Sequence, residues 1–271
     1  MSDTETDLAA GYALERYLVA SRIAGDVLTT RESNLGNAKR FAAGDPGYLF
    51  GLPPRVPWSW EEVVRLMVEK VGIDPDLSRE TGTDTIDPTL VRAGLDRLRD
   101  RLARAAADRE RVLIATGHPT GILDIHLGVA EALRRAGCTL LTPGAGTHYQ
   151  VTDTYSGRQH RLNVRYLAGV AMAADSANLW HSHAPEGMQA ILAALASDGE
   201  PPPDLVIADH GFAGAAAQAG LDVAGFADSN DPALFVGEAE GRLAITVPLD
   251  DNVQPHLYRP VVQYLLASWA D

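Results

Sequence analysis

Apolar residues follow two different rhythms along this chain. From residue 111 onward, short apolar runs alternate with segments of helical periodicity. RVLIATG (111–117) reads as a buried strand, followed by the helical ILDIHLGVAEALRRAG (122–137) and the strand TLLTPG (139–144). The stretch 148–173 is less regular. A helix over 186–196 comes next, then the strands DLVIAD (204–209), DVAGFAD (222–228) and LAITVPL (243–249). Helices over 212–220, 232–241 and 256–270 follow these strands in turn. Such alternation predicts an α/β fold, a mostly parallel sheet with helices on both faces.

The front half lacks the alternation. Residues 87–107 open with Asp87 as a cap and Pro88 in the first turn, and Val91, Leu95, Leu98, Leu102 and Ala105 form one apolar stripe. Ser59 and Glu62 have capping-box spacing ahead of Val63, Leu66 and Met67, and residues 6–25 supply a third helix. A Gly- and Pro-rich loop occupies 44–57. We therefore expect an N-terminal helical layer, residues 1–108, acting as a lid or cap, ahead of an α/β catalytic domain over 109–271.

Charge narrows the partners. The chain has 271 residues, with 23 Lys and Arg against 36 Asp and Glu, a formal net charge of −13. That balance argues against a nucleic-acid binder, whose affinity comes from clustered cations. One cysteine, Cys138, excludes a disulfide framework and a thiolate zinc cage. The N-terminus is acidic and polar, unlike a targeting peptide, and no apolar run reaches the roughly 20 residues of a membrane span. The expectation is a soluble cytoplasmic protein. No Lys or Arg occurs between Arg165 and Arg242.

Ligands of open α/β sheets bind beyond the carboxyl ends of the strands. The predicted strands end in Thr116, Gly117 and His118; in Asp209, His210 and Gly211; in Asp228 to Asp231; and in Asp250, Asp251 and Asn252. His181 and His183 form a further pair whose rings project to one side in extended backbone. Oxygen and imidazole donors of this kind suit Mg²⁺, Mn²⁺, Fe or Zn²⁺, so Asp124, His181, His183 and Asp228 are the expected metal ligands. His118, Asp209 and His210 are the expected catalytic groups. Thr120 and Gly121, in a loop leading into a helix N-terminus, are expected to contact a phosphate, together with Asn230 and Arg40. Plainer readings stand beside these: Asp231 as a helix cap, Asp124 as a dipole complement, Thr120 as an N-cap, His126 as a core histidine, Asp250 to Asn252 as a solvated turn. P-loop, dinucleotide and G-x-S-x-G motifs are absent, which disfavours ATP, NAD and serine-hydrolase chemistry.

The motifs ATGHPTGILDIH (115–126), LWHSHAPEGM (179–188), DLVIADHGFAG (204–214), GFADSNDPALF (225–235) and VPLDDNV (247–253) resemble a group of actinobacterial proteins catalogued as phosphatases. The likeness runs from residue 31 to the C-terminus. A looser likeness is to the metal-dependent damage-control phosphatases, which bind metal through Asp and Asn after strands. This chain has Gly-His-Pro where their first motif has Asp-Asn, so their ligands do not carry over to 117 or 118. The resemblance implies a phosphatase. Combined with the residue chemistry, it predicts metal-dependent hydrolysis of a small phosphorylated metabolite, a phosphomonoester, by a metal-activated water. His210 or His118 would act as acid or base, and Arg40, Arg158 or Arg161 would reach in from the lid. A binding or sensor protein and a metal-dependent C–N hydrolase are the alternative classes. A homodimer is the base-rate expectation for assembly.

Overall fold

Helix α1 (Asp3–Ala20) ends earlier than its periodicity predicts. The chain leaves it through Arg22, at a left-handed φ of 62°, and drops Ile23 and Ala24 into the core. This computed structural model describes residues 3–152, 157–176, 178–267 and 269–270. Strand β1 (Gly25–Thr30) follows, then helices α2 (Arg31–Ala42), α3 (Pro46–Leu49) and α4 (Trp60–Lys70), strand β2 (Thr83–Ile86) and helix α5 (Pro88–Asp108). Thr30 caps α2, Asp45 caps α3, the Ser59–Glu62 box closes on itself at α4, and Asp87 caps α5. The antiparallel pairing of β1 with β2 is absent from the helical reading of 1–108. Its strands are short and separated by three helices, so neither shows a period of its own.

A buried ion pair fastens this corner. The Arg31 guanidinium, fully buried, donates to Asp84 (3.1 Å) and to the carbonyls of Arg79 and Asp76 (both 3.0 Å). Asp84, which belongs to β2, also accepts from Asn34 Nδ2 (2.8 Å) and the Asp74 N–H (2.9 Å). Removing one partner strands a buried charge. Asp84→Ala is therefore expected to lower stability by about 3–5 kcal/mol, read from urea unfolding.

The back half alternates as predicted: β3 (Arg111–Thr116), α6 (Leu123–Arg135), β4 (Thr139–Leu140), β5 (His148–Thr152), β6 (Gln159–Leu167), β7 (Val170–Ala174), α7 (Glu186–Ser197), β8 (Leu205–Asp209), α8 (His210–Gln218), β9 (Val223–Ala227), α9 (Pro232–Ala239), β10 (Ile245–Pro248) and α10 (Arg259–Leu266). The irregular stretch 148–173 forms antiparallel β5 and β6, with β6 antiparallel to β7. The closing helix is split, a 3₁₀ turn at Pro255–Tyr258 preceding α10.

The sheet order is β10-β9-β8-β3-β7-β6-β5, with β4 beside the start of β3, and every pair from β10 to β7 is parallel. From β3 the chain moves to β4 on one side, then returns through α7 to β8 on the other. Right-handed crossovers running in opposite directions put α6 on one face and α7, α8 and α9 on the opposite one. Helices α5 and α10 pack with α6, and α1 packs with α5 and α10, whereas α2, α3 and α4 pack with α9. The front is thus divided between two helical groups, and one apolar cluster runs unbroken from Leu14 to Leu265. No helix among the described residues is long and apolar enough to cross a membrane.

Candidate active site

The direction change between β3 and β8 opens a crevice beyond their carboxyl ends, the usual ligand position in such sheets. β8 ends at Asp209, and α8 starts at once with His210, whose φ of 46° is left-handed. A β-carbon-bearing residue in that conformation is strained, so its retention points to a function for the turn. The turn is crowded: a Cβ on Gly211 would lie 2.4 Å from the carbonyl oxygens of His183 and Ala184. Glycine there lets the connection after β7 cross directly over the turn. The Ser182 N–H, donating to the Gly117 carbonyl at 2.8 Å, pins the same connection to the end of β3.

Four imidazoles converge as a result. The His118 and His181 rings stack 4.1 Å apart at 2°, and His183 lies 4.9 Å from His210. His181 is 5.1 Å from both His183 and His210. The acceptors behind these rings orient them. Asp209 Oδ1 lies 2.8 Å from His210 Nδ1 and also accepts the Gly117 N–H at 2.7 Å. The Gly47 carbonyl lies 3.3 Å from His183 Nδ1, and Phe50 packs edge-on against the His183 ring. His118 Nδ1 lies 3.2 Å from Asp251 Oδ1, without the alignment of a hydrogen bond. An acceptor at Nδ1 leaves Nε2 with the lone pair, the arrangement of a metal-ligating histidine.

Carboxylates surround the rings. Asp209, Asp228, Asp231, Asp250 and Asp251 are all buried, and among the described residues none of them forms an ion pair with Lys or Arg. His210 Nε2 lies 3.4 Å from Asp231 Oδ2 and 3.5 Å from Asp251 Oδ2. Burial opposes a charge on His210, but Asp209, Asp231 and Asp251 outweigh it and raise the ring to about 10, so without an ion Nε2 keeps its proton among these carboxylates and a cation bound there would displace it. Burial likewise lifts the Asp209 carboxyl, yet the bond and charge of His210 hold it below the usual range. Asp231 is pushed up to about 7 by burial. Burial, then Asp251 and Asp250, raise Asp228 well above its ordinary value. His181 falls to about 4 and His183 to about 3, through burial and then the neighbouring His210. The site holds more negative charge than its protein partners neutralise, and the buried Oδ2 atoms of Asp209 and Asp251 make no hydrogen bond. Such a donor set fits a cation.

Among the described residues, two groups of side chains bring single donor atoms within 4.8 Å of one another: His118, His181 and His210; and His183, His210 and Asp231. Neither contains Asp124 or Asp228. Asp124 stands half-buried in the first turn of α6, where an acid complements the helix dipole. Asp228 instead ties the front to the sheet, accepting from the Thr29 hydroxyl and the Ser229 N–H. Asn230 does the same: its side-chain amide donates to Ser33 Oγ (2.9 Å) and its carbonyl accepts from Asn37 (2.8 Å). Thr120 is exposed and caps nothing, since α6 begins at Ile122 with no side-chain cap. Gly121 lets the loop meet the strand-end turn of β10, where a Cβ would lie 2.0 Å from the Asp251 carbonyl. Arg40 sits on an exposed face of α2 over the Tyr48 ring, and Arg161 is exposed on β6; no contact joins either to the histidines.

Two more of the plainer readings change, and a third holds. Asp231 occupies the N-cap position of α9 but makes no capping bond, its carboxylate turning to His210 instead. Asp250 and Asp251 are buried, not a solvated turn, because β1 covers them: the Leu28 N–H donates to Asp250 (3.1 Å) and the Asp250 N–H to the Ile23 carbonyl (2.9 Å). His126 is a core histidine that also backs the site, its Nε2 3.4 Å from Asp209 Oδ2.

Similarity to known proteins supplies the family. The family model described as Phosphatase matches residues 9–270. Phosphatase SCO2771 of Streptomyces coelicolor, an actinobacterium, is 47% identical over 257 residues, covering 94% of each chain. The chain that builds this histidine and aspartate crevice belongs to the phosphatase family.

Proposed function

We propose that this protein is a metal-dependent phosphatase that hydrolyses a small phosphomonoester. The observation that carries the reading is the set of imidazoles with an acceptor behind Nδ1 and Nε2 left for a cation, among carboxylates that form no ion pair with a Lys or Arg of the described residues. Both donor groups use His210, and its Nδ1 is committed to Asp209, so its Nε2 serves one of them at a time. We assign a single divalent ion to His183, His210 and Asp231. This group is the more enclosed of the two and includes a carboxylate, whereas His181 is exposed. When bound, the ion supplies positive charge to the phosphoryl oxygens and acidifies water.

The remaining pair is then free for proton transfer. His181 keeps an exposed edge, but the part of its ring packed among His118, His183 and His210 is desolvated, and this with the neighbouring His210 depresses its pKa to about 4, so it stays neutral at pH 7. It takes the proton of the attacking water, with the stacked His118 ring fixing its orientation. His118, backed by Asp251, gives a proton to the leaving oxygen. Helices α6, α8 and α9 all begin just beyond this strand edge, and their N-termini add positive potential for the phosphoryl group. Thr120 and Gly121 stand in the loop before α6, within reach of that role. The segment 1–108 covers the site, contributing Gly47, Phe50 and Thr29.

The direct test is a substrate panel. The purified protein is expected to hydrolyse small phosphomonoesters in the presence of Mg²⁺, Mn²⁺, Fe²⁺ or Zn²⁺ and to leave phosphodiesters intact. Absence of phosphate release with every ion would refute the reading.

A further inference from the structure

Beside the histidines lies a cavity of about 710 Å³. One wall is the front loop, with Leu49 and Pro53; the other is the β5–β6 hairpin, with Val151 and Leu162; the floor is Trp180 to Glu186. His181 and His183 line it too, so the cavity opens directly onto the proposed reaction centre. A phosphoryl group needs only a small part of that volume. A space of this size is typical of sites that enclose most of a small organic molecule.

Its chemistry is selective. The walls are mainly aliphatic and aromatic, and no Lys or Arg lines them, which makes the cavity a poor seat for the phosphoryl group itself. The Trp180 indole is fixed by its N–H, which donates to Asp175 Oδ2 at 2.9 Å, and His160 packs against its ring with centroids 4.6 Å apart. Among the described residues, Glu186 is the one carboxylate that lines the cavity, its Oε2 is buried without a hydrogen bond, and no Lys or Arg forms a salt bridge with it. An acid in the first turn of α7 complements the helix dipole, but that role is filled by a solvated carboxylate and does not require an unbonded oxygen cut off from water. A carboxylate and a fixed indole lining one mainly apolar pocket suit an organic ammonium group: the charge pairs with the acid and the cation rests against the ring.

We propose that this cavity binds the leaving group of the substrate, and that this leaving group is an apolar or aromatic moiety carrying an ammonium. The inference rests on the phosphatase reading for its orientation: phosphoryl group at the histidines, ammonium end at Glu186. It makes Trp180 and Glu186 specificity residues with no part in the chemistry.

Three phosphomonoesters separate the elements: ethyl phosphate, phenyl phosphate, and tyramine phosphorylated on its phenolic oxygen. With the intact, metal-loaded chain, kcat/KM is expected to rise about tenfold at each step of that series, the last step coming from KM. Glu186→Gln should abolish the advantage of phosphotyramine over phenyl phosphate while leaving phenyl phosphate turnover unchanged. Trp180→Leu, or Trp180→Phe if the first variant folds poorly, should erode the aromatic advantage over ethyl phosphate. Unphosphorylated tyramine should bind the wild-type chain in calorimetry and fail to bind Glu186→Gln. Equal kcat/KM for all three esters with no tyramine binding would overturn the inference and leave the phosphatase reading standing. Tyramine binding lost in Glu186→Gln, with no ester hydrolysed, would uphold the pocket and overturn the phosphatase reading.

Discussion

His210→Ala is expected to abolish divalent-ion binding and to lower kcat/KM by about three orders of magnitude or more. The size of the effect follows from how many roles meet on this ring. His210 belongs to both groups of converging donors, so no arrangement of the remaining side chains replaces it. It stands on a left-handed turn directly after β8, aimed by Asp209, with Asp231 and Asp251 within 3.5 Å of its Nε2. Removing the imidazole leaves those buried carboxylates facing one another without a counter-charge, so the fold loses stability as well. Calorimetric titration with Mn²⁺ and Zn²⁺, alongside phosphate release, reads both effects. Retained ion binding in a folded His210→Ala protein would contradict the assignment.

His181→Ala is the second large effect, and it differs in kind. Here the ion should remain bound while kcat falls by about 10²- to 10⁴-fold, the range for loss of a positioned acid or base. The pH profile gives the sign. A base works only when unprotonated, so activity disappears as pH falls through its pKa. For His181 that acid limb lies well below the ordinary histidine value of 6.5, because burial and His210 push its pKa to about 4. The limb should vanish from the residual activity of His181→Ala. Loss of the ion in this variant would place the metal in the His118, His181 and His210 group instead.

What could be read without coordinates was whatever depends on neighbours in sequence. The Ser59–Glu62 box and the Asp87 cap are local devices, and both form as spaced. The strand-end rule points to Asp209 and His210 because the turn after that parallel strand is short, and the two-residue spacing points to the His181–His183 pair. The same rule pointed at Asp251, where the Asp-Asp-Asn composition looked like solvated turn chemistry. Contacts from far away in the chain bury this turn: the Leu28 N–H of β1, more than 200 residues earlier, donates to Asp250, and His118 and His210 face Asp251. Asp228 and Asn230 show the converse. Their side chains suited a ligand, but Thr29 and Ser33 on the front occupy them. Likewise the Gly47 carbonyl that orients His183 comes from α3, 136 residues away, and no local pattern encodes such a contact.

The most direct test of the account is to strip the protein with a chelator, add back a divalent ion in known amounts, and measure bound metal and phosphomonoester hydrolysis on the same samples. The account predicts negligible activity in the stripped protein, then activity that rises in proportion to bound metal and levels off at about one ion per chain. Full hydrolysis by metal-free protein, or activity that appears only beyond a second bound ion, would contradict it.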